Sequence, residues 1–192
     1  MLTNTIKNKR VAKFKTLVHT FSSSLLDEIR LKYNIKDSSL TRYIEEQVIL
    51  VDSNDKPIGS KSLLESHLNL IIKSENLTHR AFSLLLFDEE FNLLVQRRSL
   101  KKLAFPGTWG NSCCSHPLFN NEKENQEEGS LGVRLAAERR SYQELNFKVE
   151  HENIIPVAKI YYREYGDEYF GESEIDHILF AIVEGIRPDL MP

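Results

Sequence analysis

The chain has 192 residues, the size of one ordinary domain, and its 41% hydrophobic and 28% charged residues are enough to bury a core. Its formal net charge of −3 disfavours a nucleic-acid binder that relies on bulk positive charge. The two cysteines, Cys113 and Cys114, are neighbours in the sequence and cannot join distant segments, which excludes a secreted disulfide scaffold.

The N-terminal residues 1–26 are basic and contain no acidic residue. This composition is typical of an amphipathic organelle transit peptide. It also fits a basic lead-in to a helix predicted at residues 24–32, the interpretation that we favour. No apolar run reaches the ~20 residues needed to cross a bilayer, so we expect no membrane span. We predict an N-terminal extension over residues 1–40, a main domain over residues 41–192 and a cytoplasmic protein, with organelle import as the alternative.

After residue 45 the sequence changes to short apolar runs separated by turn residues. Strands are predicted at residues 48–51, 81–87, 93–97, 157–162 and 174–183, with a hairpin after the first. Apolar residues at helical spacing predict a helix over residues 131–145, and the acidic residues 120–130 before it are expected to form an exposed loop. Strands on both sides of one central helix predict a mixed α/β or α+β domain.

A thiol and an imidazole lie two positions apart in residues 111–117 (NSCCSHP). On an extended segment, Cys114 and His116 would share one face. They could form a nucleophilic pair, or His116 could bind a metal while Cys114 acts separately as an acid or base. A buried small thiol beside a hydrogen-bonded histidine is the purely structural alternative.

Two carboxylates have strand spacing in residues 171–176 (GESEID). Glu172 and Glu174 therefore project from one face, where they repel each other unless a cation or a shared proton intervenes. This pattern indicates either a divalent-metal site or a solvated acidic strand edge. Together with His67, His79 and His116, the carboxylates form a nitrogen and oxygen ligand set that suits Mn²⁺, Mg²⁺ or Zn²⁺.

Basic residues accompany these candidate ligands at residues 97–102 (RRSLKK) and at Arg139 and Arg140. Glu144 lies one helical turn after Arg140, on the same helix face. A carboxylate and a guanidinium so placed can hold a metal-bridged phosphate between them. A routine salt bridge is the alternative.

Five segments, in this order, resemble type 1 isopentenyl-diphosphate isomerases: residues 79–83 (HRAFS), 94–99 (LVQRRS), 105–107 (FPG), 111–117 (NSCCSHP) and 171–176 (GESEID). The resemblance covers about residues 45–183. It implies a Nudix-type fold, which is a mixed β-sheet sandwiched by helices. It also implies the interconversion of isopentenyl diphosphate and dimethylallyl diphosphate in isoprenoid biosynthesis. The implied partner is a small allylic or homoallylic diphosphate.

The same resemblance implies a role for each candidate residue. The metal ligands would be His67, His79, His116, Glu172 and Glu174. Cys114 would be the catalytic thiol, and Glu174 would work with Tyr162 on the opposite face of the substrate. The diphosphate would be bound by Arg98, Lys102, Ser115 and Arg140, and an accompanying Mg²⁺ by Glu144. Where the family has a phosphate-binding lysine the chain has Leu63, so Lys61 is predicted to take its place.

The sequence also departs from the family's pattern at its end. Family members continue for several tens of residues after the strand that corresponds to residues 171–176 (GESEID), whereas this chain ends at Pro192. The main interpretation is the isomerase, and the alternative is a truncated relative that binds metal or diphosphate with weak or no turnover. Because a segment that helps to close the family's pocket is missing here, we expect a folded, metal-binding chain with weak or no isomerase activity unless a partner chain or the N-terminal segment covers the site. A Nudix pyrophosphohydrolase is disfavoured, since its signature needs clustered glutamates and residues 139–147 supply only Glu144. Asn146 replaces the family's helix-ending glycine and tolerates the same left-handed conformation.

Overall fold

The computed structural model describes residues 23–34, 37–100, 102 and 105–185. The chain divides into two compact units, Met1–Ile44 and Glu45–Pro192. The first unit contains α1 (Ser23–Lys32), the predicted helix, and α2 (Asp37–Glu45) up to its penultimate residue. Residues 1–22, on which the transit-peptide interpretation mainly rests, lie outside the described residues.

A mixed β-sheet forms the centre of the second unit. Its strands are β1 (Gln47–Val51), β2 (Pro57–Ser62), β3 (His79–Phe87), β6 (Cys113–Ser115), β7 (Ile155–Tyr165) and β8 (Gly171–Ile182). They are arranged in the order β2-β1-β3-β8-β7, and β6 pairs with β3 off this path. Two short strands, β4 (Gln96–Arg97) and β5 (Trp109–Gly110), form a separate hairpin-like pair.

The register of the central strands determines which side chains can meet. β3 and β8 run parallel, and most residues of both strands are buried, as expected for strands covered on both faces. His79 on β3 pairs with Glu174 on β8, and Tyr162 on β7 pairs with Glu174 from the other side. Ser83, four residues after His79 and so on the same face, pairs with Cys114. One sheet face therefore carries all five of these side chains.

The described part of the second unit also contains three α-helices: α3 (Leu63–His67), α4 (Asn69–Glu75) and α5 (Leu131–Leu145). Helix α5 packs Val133 and Ala136 into the core with Phe82 of β3, on the face opposite His79. Helix α3 begins with a capping box, in which Ser62 and Glu65 satisfy each other's backbone N–H groups. This cap fixes the start of a short helix whose last residue is His67.

A glycine is required where β8 begins. A Cβ atom at Gly171 would collide with the side-chain oxygen of Asn69 and would lie 2.6 Å from the Glu164 carbonyl oxygen. The chain therefore passes close to α4 and β7 immediately before Glu172, which fixes the position of that carboxylate.

The predicted fold class, a mixed sheet with helices, is confirmed. The helix predicted at residues 131–145 is α5, and Asn146 after it has the expected left-handed conformation, with φ of 53°. The strand predicted at residues 93–97 is reduced to Gln96–Arg97. Among the described residues, no helix is both long enough and apolar enough to cross a bilayer.

The prediction of an exposed loop at residues 120–130 is wrong in part. Two 3₁₀ helices form there, Glu122–Asn125 and Glu128–Ser130, and Glu124 is only 2% exposed. Arg139 on α5 donates to Glu124 at 2.6 and 3.0 Å, and such an ion pair explains how the carboxylate can be buried. Local composition marked the segment as polar but held no information on this distant partner.

Candidate active site and metal centre

Three histidines and one glutamate converge on a single point. Glu174 on β8 lies beside His79 on β3, while His116 follows β6 and His67 ends α3. The Nε2 atoms of His79 and His116 each lie 3.1 Å from Glu174 Oε1, and that of His67 lies 3.7 Å from it. The three imidazole rings are 4.9 to 5.0 Å apart between centroids. One carboxylate oxygen is thus surrounded by three imidazole nitrogens.

Burial controls the charge of these groups. It lowers the pKa of His67 well below the usual value, and the neighbouring His79 and His116 lower that pKa further. Burial also lowers the pKa of His116. For Glu174, burial alone would raise the pKa, but hydrogen bonds from His116 and His79 outweigh it and hold the pKa well below the usual range. Neutral rings of His67 and His116 therefore lie beside a charged carboxylate.

One contact orients a ring toward the cluster. His67 Nδ1 lies 2.8 Å from the carbonyl oxygen of Leu63, one turn earlier in α3. Because a carbonyl oxygen only accepts, Nδ1 carries the hydrogen, and Nε2 is left with its lone pair facing Glu174. Backbone contacts of this kind hold metal-binding histidines in the required tautomer.

This donor set fits a divalent cation. The four ligand atoms of His67, His79, His116 and Glu174 all lie within 4.8 Å of one another. Imidazole nitrogen and carboxylate oxygen are the ligands that Zn²⁺, Mn²⁺ and related ions take from proteins. Four of the five predicted metal ligands are thus brought together, and the fifth, Glu172, lies next to them on β8. The cluster could bind a metal ion.

The hydroxyl of Tyr162 bridges the two glutamates of β8. It lies 2.8 Å from Glu172 Oε2 and 2.6 Å from Glu174 Oε2, and it donates toward both. A phenol has one hydrogen, so both contacts are fully satisfied when Glu172 holds a proton. Burial, then the charge of Glu174, raises the pKa of Glu172 to about 7, and burial with both carboxylates raises the pKa of Tyr162. This group of residues can therefore keep a proton near neutral pH.

A cavity of about 240 Å³ opens beside Cys114 and is lined by basic and polar side chains, among them Arg97, Arg98, Lys102 and Asn111. Arg98 connects it to the histidine cluster, since its Nη2 atom lies 4.0 Å from Glu172 Oε1. Guanidinium and ammonium groups in the lining, together with one thiol, give the cavity the character of an anion site with a reactive group beside it.

Glu144 on α5 lines the same cavity. It accepts from Lys102 Nζ at 2.9 Å and pairs with Arg140 one turn earlier in the helix. Burial alone would raise the pKa of Glu144, but the charges of Lys102 and Arg140 outweigh it and lower the pKa. The structure therefore contains the Arg140–Glu144 salt bridge that the sequence analysis gave as the alternative to a phosphate-binding pair.

Two of the predicted phosphate-binding residues lie elsewhere. Lys61 on β2 pairs with Glu75 of α4 at 3.1 Å and is not among the residues lining the cavity. Ser115 follows Cys114 on β6, so its side chain lies on the opposite sheet face. The structure brings Arg98 and Lys102 together at the cavity, with Arg140 beside them through Glu144.

Two polar side chains near Cys114 had no role in the sequence analysis. Ser83 donates to Asp176 Oδ2 at 2.7 Å, and its oxygen lies 3.5 Å from Cys114 Sγ. Burial raises the pKa of Asp176 to about 7, and the charges of Glu174 and Glu172 add to the rise. The alternation that linked Glu172 to Glu174 extends to Asp176, and this signal was available in the sequence.

Comparison with known proteins places this geometry in context. No protein-family model matches the chain. Isopentenyl-diphosphate Delta-isomerase I of Clarkia breweri is 46% identical over 141 residues, which are 72% of this chain and 49% of that protein. The Camptotheca acuminata isomerase I is 43% identical over 141 residues, 72% of this chain and 60% of the relative. The Dictyostelium discoideum isomerase is 42% identical over 154 residues, 78% of this chain and 64% of the relative.

The chain is a homologue of the isopentenyl-diphosphate Delta-isomerases. It spans between about half and just under two thirds of the length of these isomerases. Two further isomerase relatives, from Arabidopsis thaliana and Cannabis sativa, are named as chloroplastic. A solved structure from Deinococcus radiodurans, DR0079, matches with a TM-score of 0.47 and 16% identity over 77% of this chain and 80% of that one. That likeness is too low to support an argument.

Proposed function

We propose that the chain interconverts isopentenyl diphosphate and dimethylallyl diphosphate, as a step of isoprenoid biosynthesis. The observation that carries this proposal is the convergence of three histidines and Glu174 on the sheet face that also carries Cys114. Homology to proteins named for this isomerisation supplies the reaction. The cytoplasm is the proposed compartment, with organelle import through the basic N-terminus as the alternative.

The reaction requires one proton to be gained and another to be lost. A proton adds to the terminal carbon of the double bond, which leaves a tertiary carbocation. A second proton then leaves the methylene group on the diphosphate side of that cation, and the double bond re-forms there. The two transfers balance, so the product is an isomer. The protein regains its starting state when the proton donor takes up a proton and the proton acceptor loses one, by exchange with water.

Two groups of side chains are proposed for these transfers. Tyr162, Glu174 and Glu172 share hydrogen bonds around a carboxyl whose pKa is about 7, which suits a proton donor at neutral pH. Cys114 lines the cavity and is proposed to exchange a proton on the opposite face of the substrate. The unactivated alkene is a very weak base, so both groups must be positioned in a site that excludes water.

A divalent ion would be held by His67, His79, His116, Glu172 and Glu174. When bound, it would supply positive charge that makes the neighbouring carboxyl and phenol stronger acids. Mn²⁺, Mg²⁺ and Zn²⁺ all suit this set of nitrogen and oxygen donors. We propose that Glu144 holds a Mg²⁺ that accompanies the diphosphate.

The diphosphate is proposed to lie in the basic cavity. Arg98 and Lys102 line it, and Arg140 lies beside it. Their positive charges favour an anion such as a diphosphate over a neutral ligand. Arg98 also lies close to Glu172, so an anion held by Arg98 would have its organic part next to the proposed proton donors. The family resemblance also implies Ser115 and Lys61 as diphosphate ligands, but neither lines this cavity, so both are left out of the proposed site.

The deciding experiment is incubation of the purified chain with isopentenyl diphosphate and Mg²⁺, with detection of acid-labile dimethylallyl diphosphate. Turnover that disappears in Cys114→Ala but persists in Cys113→Ala supports the proposal. Binding of the diphosphate without turnover by a metal-loaded chain would contradict it and favour the binding-only alternative. Release of inorganic phosphate or pyrophosphate would instead favour a hydrolase.

A further inference from the structure

A hydrogen-bonded chain of three side chains crosses three strands beside the cavity. Ser83 on β3 donates to Asp176 Oδ2 on β8 at 2.7 Å. The same hydroxyl oxygen lies 3.5 Å from Cys114 Sγ on β6, the residue directly opposite Ser83 in the antiparallel pair. Ser83 and Asp176 are 6% and 5% exposed. Cys114 is the member of the chain that lines the cavity.

The direction of these hydrogen bonds follows from the number of hydrogens. A serine hydroxyl has one hydrogen, and the 2.7 Å contact commits it to the carboxyl oxygen of Asp176. The Ser83 oxygen can then only accept from its second neighbour. When Asp176 is ionised, the thiol of Cys114 is therefore the donor of the 3.5 Å contact.

A contribution to fold stability does not explain the buried carboxyl of Asp176 beside Ser83. A buried carboxyl costs free energy unless it is well hydrogen-bonded. Among the described residues, Asp176 Oδ1 has no hydrogen-bond partner, and Oδ2 has Ser83. A carboxyl so sparsely bonded adds little to the fold, but it fixes the hydroxyl that contacts Cys114.

We propose that Ser83 is the positioning residue for Cys114, and that Asp176 is the anchor that holds the Ser83 hydroxyl in place. A cysteine side chain turns about a single bond among three staggered conformers. The contact with Ser83 selects the conformer in which the sulfur lies at the cavity wall. The inference rests on the proposed function, because it concerns the thiol to which a proton transfer is assigned there. A reacting group displaced by about 1 Å can cost a factor of about 100 in rate.

Kinetics of substitutions at Ser83 and Asp176 test the proposal. We expect Ser83→Ala to lower kcat at least about tenfold and to leave KM within about twofold. Ser83→Thr keeps the hydroxyl and should restore kcat to within about threefold. Asp176→Asn keeps an acceptor oxygen and should resemble Ser83→Thr, whereas Asp176→Leu should resemble Ser83→Ala. Ser141→Ala, a buried serine on α5, is the control and should leave both constants unchanged.

A second measurement does not depend on turnover. Crystal structures of the Ser83→Ala and Ser83→Thr variants would show the conformer of Cys114 directly. We expect the sulfur to move or split between conformers in Ser83→Ala and to stay in place in Ser83→Thr. An unmoved sulfur in Ser83→Ala, or a kcat equal to that of the unsubstituted chain, would overturn the positioning role. If the unsubstituted chain shows no turnover, the proposed function fails, while the conformer of Cys114 still decides this inference.

Discussion

Cys113 and Cys114 are adjacent in the sequence but lie on opposite faces of β6. Cys113 is fully buried in the core with Phe82 and Leu84, and its sulfur lies 3.7 Å from Glu144 Oε2. Cys114 lies at the cavity. The alternation of a strand therefore gives one thiol to the hydrophobic core and the other to the candidate active site.

This separation predicts different effects for the two alanine substitutions. Cys114→Ala should lower kcat by a factor of at least about 100, the usual contribution of a proton-transfer group. Cys113→Ala should keep kcat within about threefold and mainly lower the thermal midpoint, because it removes a buried atom from the core. Steady-state kinetics and thermal unfolding of both variants make the comparison. Equal losses of kcat would mean that the register of β6 is misassigned.

The histidine cluster predicts a defined change in metal content. His116→Ala removes one of the two Nε2 atoms nearest Glu174 and should lose most of a divalent ion that the unsubstituted chain keeps through dialysis. His151→Ala is the matched control. His151 lies with Glu138 and Glu152 in a second, partly exposed group of possible ligands. Metal analysis should give full occupancy for this control; retention of the ion in His116→Ala would refute the proposed site.

Tyr162 should matter through its hydroxyl alone. Tyr162→Phe keeps the ring but removes the donor between Glu172 and Glu174, which are then left to repel each other. We expect kcat to fall about 100-fold or more, with an unchanged circular dichroism spectrum. Tyr161→Phe is the control because Tyr161 lies next along β7 and is 58% exposed. A similar loss in both variants would point to damage to β7 rather than to the loss of one hydroxyl.

The sequence alone predicts much of this site because several of its members are close together in the chain. Two-residue spacing predicted that Glu172 lies beside Glu174 and Cys114 beside His116. The two glutamates do share a face, since both contact the Tyr162 hydroxyl. The sequence analysis grouped His116 with Glu174 by ligand type and by the family resemblance, but spacing along the chain did not predict their contact. It depends on the register of three strands, which local spacing does not encode.

The features that the sequence analysis missed depend on contacts between residues far apart in the chain. Asp176 continues the alternation of Glu172 and Glu174, but its significance depends on Ser83, 93 residues away. Glu124 was assigned to an exposed loop because its local sequence is polar, whereas Arg139 makes its burial possible. Helix α5 was predicted with its full length because its pattern is local and its end is marked by Asn146.

A buried ionic network behind the sheet predicts how stability depends on pH. Asp55, in the turn between β1 and β2, accepts from Arg80 Nε at 2.7 Å, from His177 Nε2 at 2.8 Å and from Lys159 Nζ at 2.6 Å. Burial alone would raise the pKa of Asp55, but the hydrogen bonds from His177, Lys159 and Arg80 outweigh it and lower the pKa well below 3.8. The stabilisation is therefore present above the unfolded-state pKa and is lost as the pH falls toward the folded-state pKa.

Urea unfolding at several pH values tests this dependence. For the unsubstituted chain, the free energy of unfolding should decrease as the pH is lowered from about 5 to about 2. Asp55→Asn should be less stable by about 3 kcal/mol at pH 7, because Arg80 loses its buried partner, and the acid-dependent decrease should become shallower. Asp27→Asn, on the exposed surface of α1, is the control and should match the unsubstituted chain. If the free energy of unfolding of Asp55→Asn falls with acid as steeply as that of the unsubstituted chain, other carboxylates cause the acid-dependent loss of stability.

The cavity predicts which basic residues bind the diphosphate. Arg98 lines it, so Arg98→Ala should weaken the binding of inorganic pyrophosphate about tenfold, the effect of about one charge-assisted contact. Lys61 is already paired with Glu75 outside the cavity lining, so we expect Lys61→Ala to change the affinity less than twofold. Calorimetric titration at physiological salt measures both. Arg163→Ala, which removes an arginine held by Ser173 and Asn76, controls for the loss of one positive charge. If Lys61→Ala weakens binding as much as Arg98→Ala does, the lysine binds the diphosphate and the anion site extends beyond the cavity.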